Sequence, residues 1–150
     1  MTVKDERDRE SSLKLFVVMS RAMQTIQKRV ESNIKSFGMN LTEFAVLELL
    51  YHKGEQPIQK IGQKVLLASS SITYVVDKLE KKGHLVRKPC PNDRRVIYAV
   101  LTEEGKKMME KIFPKHQDAM IEIMGGLSTE EKELTIEKLK KLGFYAKGNE

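Results

Sequence analysis

The residues from Ser69 to Arg95, SSSITYVVDKLEKKGHLVRKPCPNDRR, most constrain what this chain can fold into. Between Ser69 and Lys82, Ile72, Val75, Val76 and Leu79 fall at i, i+3, i+4 and i+7, which predicts a helix with one apolar stripe. The opposite face carries Ser70, Thr73, Tyr74, Asp77, Lys78 and Lys81, with short hydrogen-bonding groups first and lysines later. Gly83 can end such a helix as its C′ residue. Two strand-like runs follow, His84 to Lys88 and Val96 to Leu101, on either side of a Pro-Cys-Pro-Asn-Asp turn with two arginines. The whole stretch therefore reads as an amphipathic helix feeding a basic hairpin.

Charge is concentrated in the same region. From Pro57 to Val100 there are nine Lys and Arg against three acids, an excess equal to the net charge of the whole chain, +6, so the remaining residues balance. One local basic face is the electrostatic signature of a polyanion binder. Lys81 and Lys82 alone would be an ordinary solvated helix end. Short polar groups on the first turns suit base edges, and lysines on the later turns suit phosphate. A helix leading directly into such a hairpin has the layout of a winged helix-turn-helix.

At 150 residues the chain is expected to form a single domain with one core. No run approaches the ~18 apolar residues of a membrane span. The first residues, MTVKDERDRESS, carry both signs of charge rather than a basic-then-apolar signal, so a cytoplasmic location is expected, with no membrane partner. The single cysteine, Cys90, has no intramolecular disulfide partner. No Cys/His spacing suits zinc, and no phosphate-cradling Gly-rich loop, Cys/His nucleophile pair or marked carboxylate pair suggests an enzyme, so neither metal nor cofactor is expected.

Taken in order, residues Met1 to Glu10 read as a frayed polar lead. From Leu13, Phe16, Met19, Met23, Ile26, Val30 and Phe37 recur at spacings of three, four or seven, a seam of some six turns that Gly38 ends. So long a stripe needs a partner, either other helices of the same chain or, more often for a helix ahead of a compact DNA-binding unit, a second subunit. Asn40 or Thr42 caps the next helix, whose inner face is Phe44, Leu47, Leu50 and Tyr51 and which Lys53-Gly54 ends. Pro57 opens a short helix with Ile58, Ile61 and Val65 inward. Gly62 within it costs about 1 kcal/mol against Ala, which close packing with the following helix would offset. Leu66-Leu67-Ala68 is the turn, and Ser69 is the expected cap of the recognition helix.

Beyond the hairpin, Thr102 caps a long helix with Met108, Met109, Ile112, Phe113, Met120, Ile123 and Met124 on its apolar surface and a kink expected at Pro114. After Gly125-Gly126, Ser128 and Glu131 form a capping box that launches a last helix carrying Leu134, Leu139, Leu142 and Tyr145.

Taken together, LTEFAVLELL, SSSITYVVDKLEKKGHLVRK, the Asp93-Arg94-Arg95 wing followed by Leu101-Thr-Glu-Glu-Gly, and the closing STEEKELTIEKLKKL resemble the MarR family of bacterial transcriptional regulators over nearly the whole chain. Among its members the chain is most similar to the quinone- and phenol-responsive ones. The resemblance implies a mainly α fold: one domain over 1–150, with dimerisation helices at about 11–37 and 103–146 and a winged helix-turn-helix at about 41–101. It also implies a homodimer that binds a pseudo-palindromic operator in double-stranded DNA, usually as a repressor released by a small ligand or by oxidation. The family's wing Asp-x-Arg falls on Asp93 and Arg95. Arg95 is then the minor-groove arginine, Asp93 fixes the loop, and Arg94 touches phosphate.

Ser69, Ser70, Ser71, Thr73 and Tyr74 are candidates for major-groove contacts, and Lys78 for phosphate. Tyr74 has an equal reading as a packing residue along the helix. Asp77 is expected to pair with Lys81 at i, i+4, or alternatively to accept from a cytosine amino group. Cys90 invites a thiol-switch alternative because Arg87, Lys88 and Arg94 are near in sequence, although the family's peroxide sensors keep their cysteine near the start of the first helix, where this chain has none. Methionines at helical spacing are more often simply core, but the resemblance implies a ligand site where the first helix, the second helix and the wing converge, which makes Met19, Met23 and Leu41 the candidates for a small-molecule pocket. His52, His84 and His116 are scattered over separate elements. A protein-interaction module with a winged-helix fold is the alternative function, but it would have no need of the basic wing.

Overall fold

The computed structural model describes residues 3–65 and 71–148. The order of elements is α1 (Val3–Lys35), α2 (Leu41–Lys53), β1 (Gln56–Pro57), α3 (Ile58–Lys64), α4 (Ile72–Lys81), β2 (Leu85–Pro89), β3 (Ile97–Leu101), α5 (Glu103–Ile123) and α6 (Thr129–Lys147). The fold is mainly α with a small three-stranded sheet.

Helix α1 starts at Val3, well before the expected residue 11. The lead expected to fray is helical: Asp5 and Glu6 sit in the first turn, where carboxylates favour the positive end of the helix dipole. After Lys35 the chain turns through Gly38 at φ 81°, and the Gly38 N–H donates to Lys35 O at 2.9 Å. Of the two candidate caps for α2, Asn40 is the one used. Its Oδ1 accepts from Glu43 N at 2.8 Å while Glu43 Oε1 accepts from Asn40 N at 3.3 Å, a capping box that satisfies two helix-end donors. Ser128 and Glu131 do the same for α6.

The core forms where α2, α3, α4, the sheet and one face of α5 meet. Phe44, Val46, Leu47 and Leu50 of α2 pack with Ile61 of α3, Val75, Val76 and Leu79 of α4, Leu85 and Ala99 of the sheet, and Met109 and Ile112 of α5. Ile34 joins from the end of α1. Gly62 has the compensation its propensity requires: a Cβ there would meet Ile72 Cγ1 at 3.3 Å, so the glycine lets α4 cross α3 closely. Strand order is β1-β3-β2, all antiparallel, with Arg87 opposite Ala99 and Gln56 opposite Ala99 on the other side. Strand β1 is only two residues long, too short for any periodic signal in sequence.

Helix α5 runs as one element through Pro114, whose ring removes a single backbone donor. Helix α6 buries none of its residues in this chain, and Leu134, Ile136, Leu139, Leu142, Phe144 and Tyr145 are all exposed. The first half of α1 is similarly bare, with Leu13, Leu15, Phe16, Val17 and Val18 facing solvent. Among the described residues, no helix is long and apolar enough to cross a membrane.

Candidate nucleic-acid interface

Helix α4 divides its residues as its periodicity requires. Val75, Val76 and Leu79 are buried, whereas Ser71, Thr73, Tyr74 and Asp77 are exposed on the other side. The helix starts at Ile72, so Ser71 and not the expected Ser69 stands at the N-cap; it makes no side-chain cap bond, and its hydroxyl and those of the first turn remain available to an outside partner. Ser69 and Ser70 lie outside the described residues. Tyr74 is exposed, which places it with the polar groups rather than in packing.

The loop between β2 and β3 is closed by hydrogen bonds from Cys90 N to Val96 O at 3.0 Å and from Val96 N to Asp93 O at 3.1 Å. Asp93 Oδ1 accepts from Arg95 N at 3.0 Å and from Arg95 Nε at 3.2 Å. The arginine is thus oriented by its neighbour while its side chain stays 90% exposed. Hydrogen bonds from Arg95 hold the Asp93 carboxyl below its ordinary pKa. Arg94 is exposed beside it. From outside the hairpin, Gln59 Nε2 of α3 donates to the Arg95 backbone carbonyl at 3.1 Å.

Two charged clusters tie this surface to the body. The first centres on Glu43, 2% exposed, which takes Lys78 Nζ at 3.2 Å and Lys82 Nζ at 2.9 Å. Burial acts to raise its pKa, but hydrogen bonds from Lys82, the Asn40 N–H and Lys78 outweigh it and the carboxyl is lowered overall. Lys78, expected on phosphate, therefore has an internal carboxylate partner while remaining partly exposed. In the second cluster Arg87 bridges α4 and the wing. Its Nη1 donates to Glu80 Oε1 at 2.7 Å, its backbone N to Glu80 Oε2 at 3.0 Å, and its Nη2 to Asp77 Oδ1. The expected Asp77–Lys81 pair is not what the structure shows. Strand β2 delivers a guanidinium that takes two carboxylates in a planar fork, a geometry Lys81 cannot offer. Arg87 is accordingly a clamp rather than a free cation, and it is not available to polarise Cys90.

Between α1, α2 and α5 lies a cavity of about 350 Å³, lined mostly by apolar groups that include Met23, Val30, Leu41, Phe44, His116 and Met120. Met23 and Leu41 both line it, but its third wall is α5 and not the expected wing, and Met19 lies outside the lining. Phe44 and His116 pack with their ring centroids 4.6 Å apart and their planes tilted by 53°. His116, 9% exposed, has Nδ1 3.0 Å from Asn33 Oδ1. A separate polar cleft of about 650 Å³ is bounded by α1, the α1–α2 connection and Lys78.

His52 lies on α2, His84 in the turn before β2 and His116 on α5. Among the described residues no group of three His, Cys, Asp or Glu is placed to hold a metal ion. Sequence reasoning missed Glu43, Gln59, the Arg87 clamp and the pairing of Phe44 with His116. Only Glu43 had a signal, the Asn-x-x-Glu spacing of a capping box. The others depend on elements distant in sequence.

Comparison with known proteins gives a consistent result. The family model described as MarR family matches residues 39–97. The HTH-type transcriptional regulator MhqR of Bacillus subtilis (strain 168) is 55% identical over 138 residues, covering 92% of this chain and 95% of that protein. Among solved structures, AbsC, a MarR family transcriptional regulator from Streptomyces coelicolor, superposes with a TM-score of 0.75 at 19% identity, covering 99% of this chain and 98% of that one. A second Streptomyces coelicolor MarR family regulator, solved in complex with DNA, gives a TM-score of 0.73 at 20% identity, covering 95% and 91%.

Proposed function

The chain belongs to the MarR family of DNA-binding transcription regulators, and on that premise we propose that it is a homodimeric repressor of an inverted-repeat operator, released by a small phenolic or quinone-like ligand. The observation that carries the DNA-reading part is the presence of two solvent-exposed probes in one winged unit. These are the exposed polar face of α4 and the Arg95 side chain, oriented by Asp93 and free to enter a groove. Ser71, Thr73 and Tyr74 are assigned to major-groove contacts, Arg95 to the minor groove, and Arg94 and Lys78 to phosphate. The bare apolar faces of α1 and α6 support a second copy as partner, since burying one Leu or Phe side chain is worth about 1.5 to 3 kcal/mol. Two-fold symmetry would set the recognition helices about one turn of DNA apart, ~34 Å.

The cavity between α1, α2 and α5 supports the ligand part. Asn33 Oδ1 can only accept, so His116 Nδ1 carries the proton and Nε2 remains the ring's acceptor, suited to a phenolic hydroxyl. Phe44 and the methionines offer apolar and polarisable walls to an aromatic ring. Helix α2 carries Phe44 on the cavity and the adjacent Glu43 on Lys78 and Lys82 of the recognition-helix segment. A ligand that prefers a shifted α2 would shift the reading head with it and weaken DNA binding by its differential affinity.

The test is release of bound DNA by hydroquinone and by phenol. A duplex selected by the protein from a random-sequence pool serves as the probe. Ligand should lower DNA affinity for the native chain and for Cys90→Ser, and lose its effect in His116→Ala. If Cys90→Ser abolished release, the switch would be the thiol and not the cavity.

A further inference from the structure

A reader with two probes needs a fixed distance between them. The bonds inside the β2–β3 loop, from Cys90 to Val96, Val96 to Asp93 and Arg95 to Asp93, fix the shape of the wing tip. They do not fix where that tip points. At its base the hairpin is anchored through the Arg87 clamp on Glu80 and Asp77 of α4. At its tip, Gln59 reaches across 36 positions of sequence to donate to the Arg95 carbonyl. Gln59 stands on α3, and α3 is packed against α4 at the Gly62–Ile72 approach. The bond therefore references the wing arginine to the same body that carries the recognition helix.

We propose that Gln59 is a positioning residue for DNA recognition: it holds the backbone of Arg95 at a set distance from α4, so that helix and wing engage adjacent grooves together. The proposal rests on the assignment of Arg95 to the minor groove made above. Gln59 is neutral and its amide is engaged on protein, so its contribution is geometric and not electrostatic. A side chain that merely touched phosphate would act on any sequence alike. One that positions a minor-groove arginine acts on the preference for narrow, A·T-rich flanks that such arginines confer.

The experiment is a double-mutant cycle on the full chain, with Gln59→Ala, Arg95→Ala and the double variant. Binding is read by fluorescence anisotropy on a duplex selected by the native protein, with A·T-rich or G·C-rich flanks, across a salt series. Thermal melts serve as a folding control. Gln59→Ala should weaken binding about fivefold, the effect of one hydrogen bond, reduce the A·T-flank preference and leave the salt slope unchanged. In the Arg95→Ala background it should have no further effect. Equal losses in both backgrounds would make Gln59 an independent DNA contact and overturn the proposal. Native binding by Gln59→Ala, with Arg95→Ala weakened, would overturn it while leaving Arg95 in the groove. Native binding by Arg95→Ala would remove the minor-groove assignment and the proposal with it.

Discussion

Glu43 holds a charge almost out of reach of water and is stable there because three donors converge on it, the Asn40 N–H, Lys78 and Lys82. Its folded pKa is lowered, so its contribution to stability is complete above its unfolded value of 4.5 and is lost as pH falls through the lowered value. His116 is lowered mainly by burial, with Glu48 acting in the opposite sense. Folding therefore favours neutral His116, and its contribution is complete above the unfolded value of 6.5 and declines as pH drops below it. His84 is shifted the same way, by burial and by Lys82. Thermal melts across pH should thus show two falls, one beginning near the histidine range and one near the carboxylate range. His116→Gln should flatten the first and keep the second. Glu43→Ala should lower stability by about 1 to 2 kcal/mol at neutral pH through loss of its side-chain bond to the Asn40 N–H and its bonds to two lysines. An unchanged upper fall in His116→Gln would place the titration elsewhere. At this scale the sequence shows local partners and hides distant ones. The Asn40–Glu43 box has the spacing of its own helix turn, whereas Asp77 was expected on Lys81 because Arg87 reaches it only once β2 is laid against α4.

Elements meet at joints whose glycines look unremarkable in sequence. Gly105 sits in the first turn of α5, where Thr102 Oγ1 accepts from its N–H at 3.0 Å and itself donates to Gly83 O at 2.6 Å. A Cβ on Gly105 would overlap the backbone carbonyl of His84 and come within 2.9 Å of Leu101 Cδ1. Gly105→Ala is expected to destabilise the chain by about 2 kcal/mol or more, because backbone cannot move aside as a side-chain end can. Denaturant unfolding measures this, and a loss below about 0.5 kcal/mol would mean that the α5 joint is slack. Helix caps at Asn40, Thr102 and Ser128 were legible, since the cap and its donor lie within one turn. The start of α1 at Val3 was not, because a run of mixed charge reads equally as solvated coil or as helix held by its own surface. Strand β1 escaped because it has no side-chain pattern of its own and exists only as a partner of β3.

For the molecule as a whole, the division of apolar surface is the informative feature. The reading head buries its own core, while α6 and the first half of α1 leave their apolar side chains uncovered. The long seam of Phe16, Met19 and Met23, on which the expectation of a second subunit was based, is exposed in this chain. The cavity residues were only partly legible, because Met23 and Leu41 meet His116 through three helices whose mutual packing no spacing rule encodes. The central claim is that two copies join through these helices and present two basic reading heads to one duplex. The most direct measurement is sedimentation of the purified chain, alone and with a fluorescent duplex selected by it, over a series of salt concentrations. The account predicts a dimer alone, two chains on each duplex, and affinity that falls steeply as salt rises. A monomer that binds one chain per duplex, or binding indifferent to salt, would contradict it.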